Sequence, residues 1–207
     1  MPQIYLIRHG ENDLVKEKRL AGRLPGIHLN DRGRQQAATL AVLLGDLQFH
    51  AIVSSPLERA METARPLAKR CSLPVTTHNG LIEFDYGSWQ GKTLKALRRR
   101  KLWPLVQQHP SRMQFPNGES FLAVQTRAVA AIETILRTYP EDGMRIACFS
   151  HSDVIKLILA SYIGLPVDLL QRLQVAPASV SILSLTGEHV RLVTMNDQRA
   201  TQSGAAL

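Results

Sequence analysis

The sequence predicts an α/β fold with a largely parallel central sheet. Two observations carry that expectation. Short apolar, β-prone runs alternate with longer helical stretches in the order strand, helix, strand, helix, strand, helices, strand, helix. The runs also stop abruptly in polar residues: Ile4-Tyr5-Leu6-Ile7 in Arg8-His9-Gly10-Glu11, Ala51-Ile52-Val53 in Ser54-Ser55-Pro56, and Ile146-Ala147-Cys148-Phe149 in Ser150-His151. Unbroken apolar runs suit strands buried on both faces, and ligands of open α/β sheets bind at the carboxyl ends of such strands.

The elements follow in order. After Glu11 comes a polar loop, residues 12–29, holding Gly22, Pro25 and Gly26; it is long for a connection, which points to function. Asn30 is a suitable N-cap for a helix to about Leu44, with Leu40, Leu43, Leu44 and Leu47 as its apolar stripe and Gly45 at its end. Ser55-Pro56-Leu57-Glu58 reads as a capping box with proline at the first helical position, so Arg59 falls in the first turn, and Pro66 should kink or end that helix. Val75-Thr76-Thr77 is a third strand, followed by an acidic, aromatic loop over residues 81–87.

From Lys92 to Pro116 the chain turns basic and polar, yet Leu94, Leu97, Leu102, Trp103 and Leu105 still need burial. Residues 92–116 are therefore expected to form a helical cap inserted into a single domain spanning 1–207. A long helix runs from Glu119 to Tyr139, with Val124, Ala128, Ala131, Ile132, Ile135 and Leu136 at helical spacing. Ser150 and Asp153 read as a capping box for a helix through Ile163. Two closing strands, 180–185 and 190–193, make a hairpin around Thr186-Gly187-Glu188, and the last eight residues look frayed.

Composition bounds the function. An apolar share of 44% and a charged share of 20% are those of a globular protein large enough for a real core. No segment reads as a signal peptide, and the best apolar stretch, 154–167, is interrupted by Lys156, Gly164 and Pro166. Cys71 and Cys148 make no disulfide framework, so a cytoplasmic location is expected, with Cys148 a buried thiol. The net charge of +8 suits anionic partners. Its densest cluster, Arg98-Arg99-Arg100-Lys101, lacks interleaved aromatics, so a solvated helix face is favoured over nucleic-acid binding. On the expected fold the basic segment from Lys92 to Lys101, which holds that cluster, overlies the mouth of the pocket and tunes substrate choice.

If three strands feed one sheet edge, they bring Arg8, His9, Arg59 and His151 together. Guanidinium forks match phosphate oxygens, and helix N-termini favour anions. A neutral imidazole is a nucleophile near pH 7, and its attack on a phosphate monoester would give a phosphohistidine. The leaving alkoxide then needs a proton, for which Glu83, among Leu81, Ile82 and Phe84, is a candidate. Taken alone, Arg8-His9 fits a solvated strand end equally well, and Glu83 a solvated loop carboxylate. The chain has no phosphate-binding G-x-x-x-x-G-K-[ST] loop, no G-x-G-x-x-G after a strand, no H-E-x-x-H and no His/Cys metal spacing. No metal or other cofactor is expected.

Leu6-Ile7-Arg8-His9-Gly10-Glu11 resembles the signature of the histidine phosphatase superfamily, the phosphoglycerate mutase-like family. Gly33 with Gln36-Ala37, Ser54 to Ala60 with Thr63-Ala64, Glu83 with Tyr86-Gly87 and Trp89-Gln90-Gly91, Pro116 to Ser120, and Ser150-His151 resemble its further motifs in family order. The resemblance implies a three-layer α/β/α sandwich and a metal-independent histidine acid/broad-type phosphatase acting on a small phosphorylated metabolite. It implies His9 as the phosphorylated nucleophile, Glu83 as proton donor, and Arg8, Arg59 and His151 as the phosphate pocket. A cofactor-dependent phosphoglycerate mutase or related phosphomutase is the same-family rival, and a non-catalytic phospho-ligand binder the rival from another class. No nucleic acid or membrane is implied, and the oligomeric state stays open, a homodimer included. The chain departs from the family pattern at Asn12, where a small hydroxyl residue is common, at Val15, where an asparagine is common, and at Ser152, where glycine is usual. Asn12, Gly22, Arg23 and Ser152 are candidate substrate contacts, with Arg23 replacing lost phosphate contacts.

Overall fold

A computed structural model describes residues 1–185 and 189–202. Its elements are β1 (Gln3–Arg8), α1 (Asp13–Lys16), α2 (Asp31–Leu44), β2 (Ala51–Ser54), α3 (Glu58–Cys71), β3 (Val75–Thr77), α4 (Leu94–Leu97), α5 (Trp103–Gln108), α6 (Phe121–Thr138), β4 (Arg145–Ser150), α7 (Ser152–Tyr162), β5 (Val180–Leu185), β6 (Val190–Asp197) and α8 (Arg199–Gln202). One six-stranded sheet runs β3-β2-β4-β1-β5-β6. Strands β3, β2, β4 and β1 are mutually parallel, and β5 and β6 close the sheet by antiparallel pairing.

The period of two along the strands sorts the core into two layers. Ile4 and Leu6 of β1, with Ile146 and Cys148 of β4, face α6 and α7. Tyr5 and Ile7, with Ala147 and Phe149, face α2 and α3. Helices thus cover both faces of the sheet, which makes the α/β/α sandwich. Among the described residues no helix is long and apolar enough to cross a membrane.

Local chemistry departs from the sequence expectations at several points. Asn30 caps α2 through Gly33 N–H as expected, at 2.9 Å, but Leu43 lies on the outer face because Gln36, Ala37, Leu40, Ala41 and Leu44 take the inner one. Neither expected capping box forms. Helix α3 starts at Glu58 with Leu57 in the cap position, and α7 starts behind His151, both without a side-chain cap. Ser150 and Asp153 are drawn into tertiary hydrogen bonds instead, and Ser55, whose Oγ accepts from Leu57 N–H at 3.4 Å, also meets His151 Nε2 at 2.8 Å. Helix α3 also runs on through Pro66 to Cys71. The loop after Glu11 carries the short helix α1, capped by Asn12. At the chain's end Arg199–Gln202 forms α8, with Ala200 buried in the α2/α3 layer rather than frayed; the expected turn at Thr186-Gly187-Glu188 and residues 203–207 lie outside the described residues.

Candidate active site

Strands β1 and β4 run parallel to their ends, so Arg8 lies level with Ser150, and the ladder continues as His9 N–H donates to Ser150 C=O at 3.0 Å. Both strands therefore release their histidines at one edge, and the rings of His9 and His151 stand 5.2 Å apart between centroids. Arg59, in the first turn of α3, reaches the same point fully buried.

Gly10 is needed for packing. A Cβ there would sit 2.7 Å from the carbonyl oxygen of Gly33, and one on Gly33 would sit 2.0 Å from the carbonyl oxygen of Glu11. The first turn of α2 thus presses against the backbone behind His9. Gln36 secures the contact by accepting from Glu11 N–H at 2.8 Å, and Thr63 by accepting from Gly10 N–H at 3.0 Å.

Hydrogen bonds assign both imidazole tautomers. The Gly10 carbonyl can only accept, so His9 Nδ1, 2.6 Å away, carries the proton and Nε2 keeps its lone pair. Arg59 Nη2 can only donate, so His151 Nδ1, at 3.3 Å, accepts, and Nε2–H donates to Ser55 Oγ at 2.8 Å. Burial lowers both histidines well below the usual imidazole range, and the nearby guanidinium charge lowers them further, so both are neutral.

The arginines are only partly satisfied. Arg8 Nη1 donates to Val175 C=O at 2.7 Å and Arg59 Nη2 to Gly22 C=O at 2.8 Å. Among the described residues Arg8 Nε and Arg59 Nε and Nη1 are buried with no hydrogen-bond partner, as is Asn12 Nδ2. Buried donors without partners are rare and costly, and a cluster of them on guanidinium groups fits an oxyanion.

Glu83 completes the group. Its Oε2 lies 3.9 Å from His151 Nδ1, and its Oε1 accepts from Phe84 N–H at 2.9 Å. Burial, with Asp153 adding like charge, pushes its carboxyl up to about 7 despite Arg59 and Arg8 nearby. Burial would also push Asp153 up, but Lys156 and the Tyr86 hydroxyl hold it below the usual carboxylate range. A cavity of about 330 Å³ opens beside these residues, with Arg8, His9, Arg59 and Glu83 on its wall.

The structure gathers Arg8, His9, Arg59, Glu83 and His151 as expected, but distributes the outer candidates otherwise. Ser152 lines the cavity and donates to Val175 C=O at 3.3 Å. Gly22 contributes its carbonyl to Arg59. Arg23 is not on the cavity wall: its Nε holds the Glu83 backbone carbonyl at 2.9 Å and its Nη2 the Glu119 carboxylate at 2.8 Å. Arg98, Arg99, Arg100 and Lys101 are exposed and also off the wall; the cations at the mouth are Lys18 and Arg19. The sequence reading missed Arg127, and it placed Ser55 and Thr63 within a family motif without giving either a role at the site. Arg127 Nη1 holds the carbonyls of Gly80 and Ile82 at 2.9 and 2.7 Å, its Nη2 that of Glu83 at 3.1 Å, and it pairs with Glu119. A mid-helix arginine offers no local sign of such a role.

Comparison with known proteins agrees with this geometry. The model of the histidine phosphatase superfamily (branch 1) matches residues 4–198. A bifunctional protein of Mycobacterium tuberculosis is 32% identical over 95% of the chain, which spans about half (54%) of that longer relative. A probable phosphoglycerate mutase of Salmonella choleraesuis is 29% identical, over 87% of this chain and 84% of its own. A solved mycobacterial glucosyl-3-phosphoglycerate phosphatase, complexed with VO3, superposes with a TM-score of 0.86 at 28% identity, covering 94% of this chain and 99% of the other. The chain belongs to the histidine phosphatase superfamily, branch 1.

Proposed function

We propose that the chain is a metal-independent phosphomonoester hydrolase that works through a phosphohistidine on a small phosphorylated metabolite. The observation that carries this reading is the set of partnerless buried nitrogens on Arg8 and Arg59 beside a neutral His9 with a free Nε2. Arg8 and Arg59 hold the nonbridging oxygens and supply the positive charge that a metal would otherwise bring. The Nε2 lone pair of His9 forms the N–P bond as the ester P–O bond breaks, and Glu83 gives its proton to the leaving oxygen. Glu83, now a carboxylate, takes a proton from water; the water oxygen attacks phosphorus, the N–P bond breaks, and inorganic phosphate leaves.

His151, fixed by Ser55 and Arg59, serves as a neutral part of the phosphate pocket. A Glu83 carboxyl protonated below about 7 supports the acid-tolerant, broad-type assignment. Residues 92–116 act as the cap, since Leu94, Trp103, Val106, Gln107 and Phe115 line the cavity.

The test is phosphate release from a panel of phosphorylated metabolites, with EDTA as a control, together with trapping of labelled protein after an acid-free quench. Label on wild type and none on His9→Ala is expected. Turnover by a folded His9→Ala variant removes the covalent mechanism. Transfer of the phosphoryl group to a second metabolite without free phosphate makes the enzyme a mutase.

A further inference from the structure

We infer that the substrate is the phosphomonoester of an apolar alcohol, aromatic or aliphatic, whose body lies against a preformed hydrophobic wall. This deepens the proposed hydrolase reading and rests on it.

Beyond Arg8, His9, Arg59 and Glu83, the cavity wall turns apolar: Val15, Leu20, Leu94, Trp103, Val106 and Phe121 line it. An aromatic stack backs this wall. The rings of Trp103 and Trp89 are nearly parallel, with centroids 6.4 Å apart, and Trp89 meets Phe115 edge-on at 5.4 Å. The remaining side is held by pairing between the loop after β1 and the cap: Leu20 N–H donates to Lys92 C=O at 3.0 Å, and Leu94 N–H to Lys18 C=O at 2.8 Å. That strap holds Leu20 and Leu94 over the site, with Lys18 in a left-handed turn at φ +56°. The wall stands before any ligand arrives, so an apolar group gains burial without having to order it.

A polyhydroxylated leaving group finds few polar groups there. Ser152 directs its hydroxyl to Val175 C=O, Gln171 Nε2 donates to Val106 C=O at 3.1 Å, Asp153 is engaged by Tyr86 and Lys156, and Gln107 is exposed to solvent. Sugar hydroxyls against Leu20, Leu94 and Trp103 would lose water without replacement partners, which costs more than burying methylenes returns.

The test uses ethyl, butyl and hexyl phosphate, which share one leaving-group basicity, with glucose 6-phosphate as the polar competitor. For wild type, kcat/KM should rise about twofold to fourfold per added methylene up to hexyl, the range expected for burial of a methylene. Glucose 6-phosphate should be the poorer substrate by at least about tenfold. Trp103→Ala should reduce the hexyl-to-ethyl ratio by about tenfold or more. Val15→Asn, on a helix with no buried side chain, should reduce the same ratio, and the ratio cancels any general loss from misfolding. Equal kcat/KM across the alkyl series, or a preference for glucose 6-phosphate, overturns the apolar subsite and leaves the hydrolase standing. An unchanged ratio in both variants overturns it likewise. No hydrolysis of any phosphate overturns the hydrolase reading itself.

Discussion

Arg59 donates from Nη2 to Nδ1 of His151 at 3.3 Å, across 92 positions of sequence. That one contact ties the start of α3 to the end of β4. It also decides where the His151 proton sits, because a guanidinium cannot accept. Ser55, the residue directly after β2, accepts the hydrogen bond from that proton, so three segments fix one ring.

Arg59→Lys should therefore harm more than charge. An ammonium cannot present a planar fork to phosphate, and the shorter lysine side chain stops short of the Nη2 position that serves both Gly22 C=O and His151. A fall in kcat/KM of roughly 10²–10³-fold is expected, the scale for losing a positioned oxyanion donor. NMR of the imidazole nitrogens should find His151 as the Nε2–H tautomer and His9 as the Nδ1–H tautomer in wild type; the opposite assignment for His9 would deny it a free Nε2.

Glu83→Gln should separate leaving groups. A general acid matters in proportion to the basicity of the departing oxygen, so an alkyl phosphate should slow by roughly 10²–10⁴-fold and p-nitrophenyl phosphate far less. Equal losses on both would take Glu83 out of the acid role.

Glu83 also sets a pH profile. Its carboxyl is pushed from an ordinary 4.5 up to about 7 in the folded, unliganded protein, so kcat/KM on an alkyl phosphate should decline as pH rises through about 7. The histidines are held well below 6.5 and should not curtail activity in that window. The same shift acts on stability. A raised carboxyl favours the folded state below 4.5, and that share is lost as pH rises through about 7. Denaturation of Glu83→Gln should accordingly show it gaining on wild type over that interval; parallel pH curves would contradict the shift.

Arg127→Met should destabilise the fold by about 2–4 kcal/mol, since the backbone carbonyls of Gly80, Ile82 and Glu83 and the Glu119 carboxylate lose one shared, charge-assisted partner. Because those carbonyls include that of Glu83, alkyl phosphate turnover should fall more than p-nitrophenyl phosphate turnover. Loss of stability with both rates intact would make Arg127 a structural residue only.

Much of this was legible in the chain. Strand runs ending in Arg8-His9 and Ser150-His151, the Asn30 cap and the spacing along α6 are local signals, set by β-propensity, capping and the helical period. They suffice for the layer order and for the core of the site, because parallel strands must release their ends at one edge. What tertiary structure alone decided is where the polar side chains went. Ser55, Ser150 and Asp153 sit in patterns that locally favour capping, yet each found a buried partner in a distant segment. Arg23, which the sequence offered as a phosphate contact, and Arg127, alike on paper to any surface arginine, converge on the carbonyl of Glu83. A single hydrogen-bonding side chain has several partners of similar energy, and only packing, which excludes water from some and not others, selects among them.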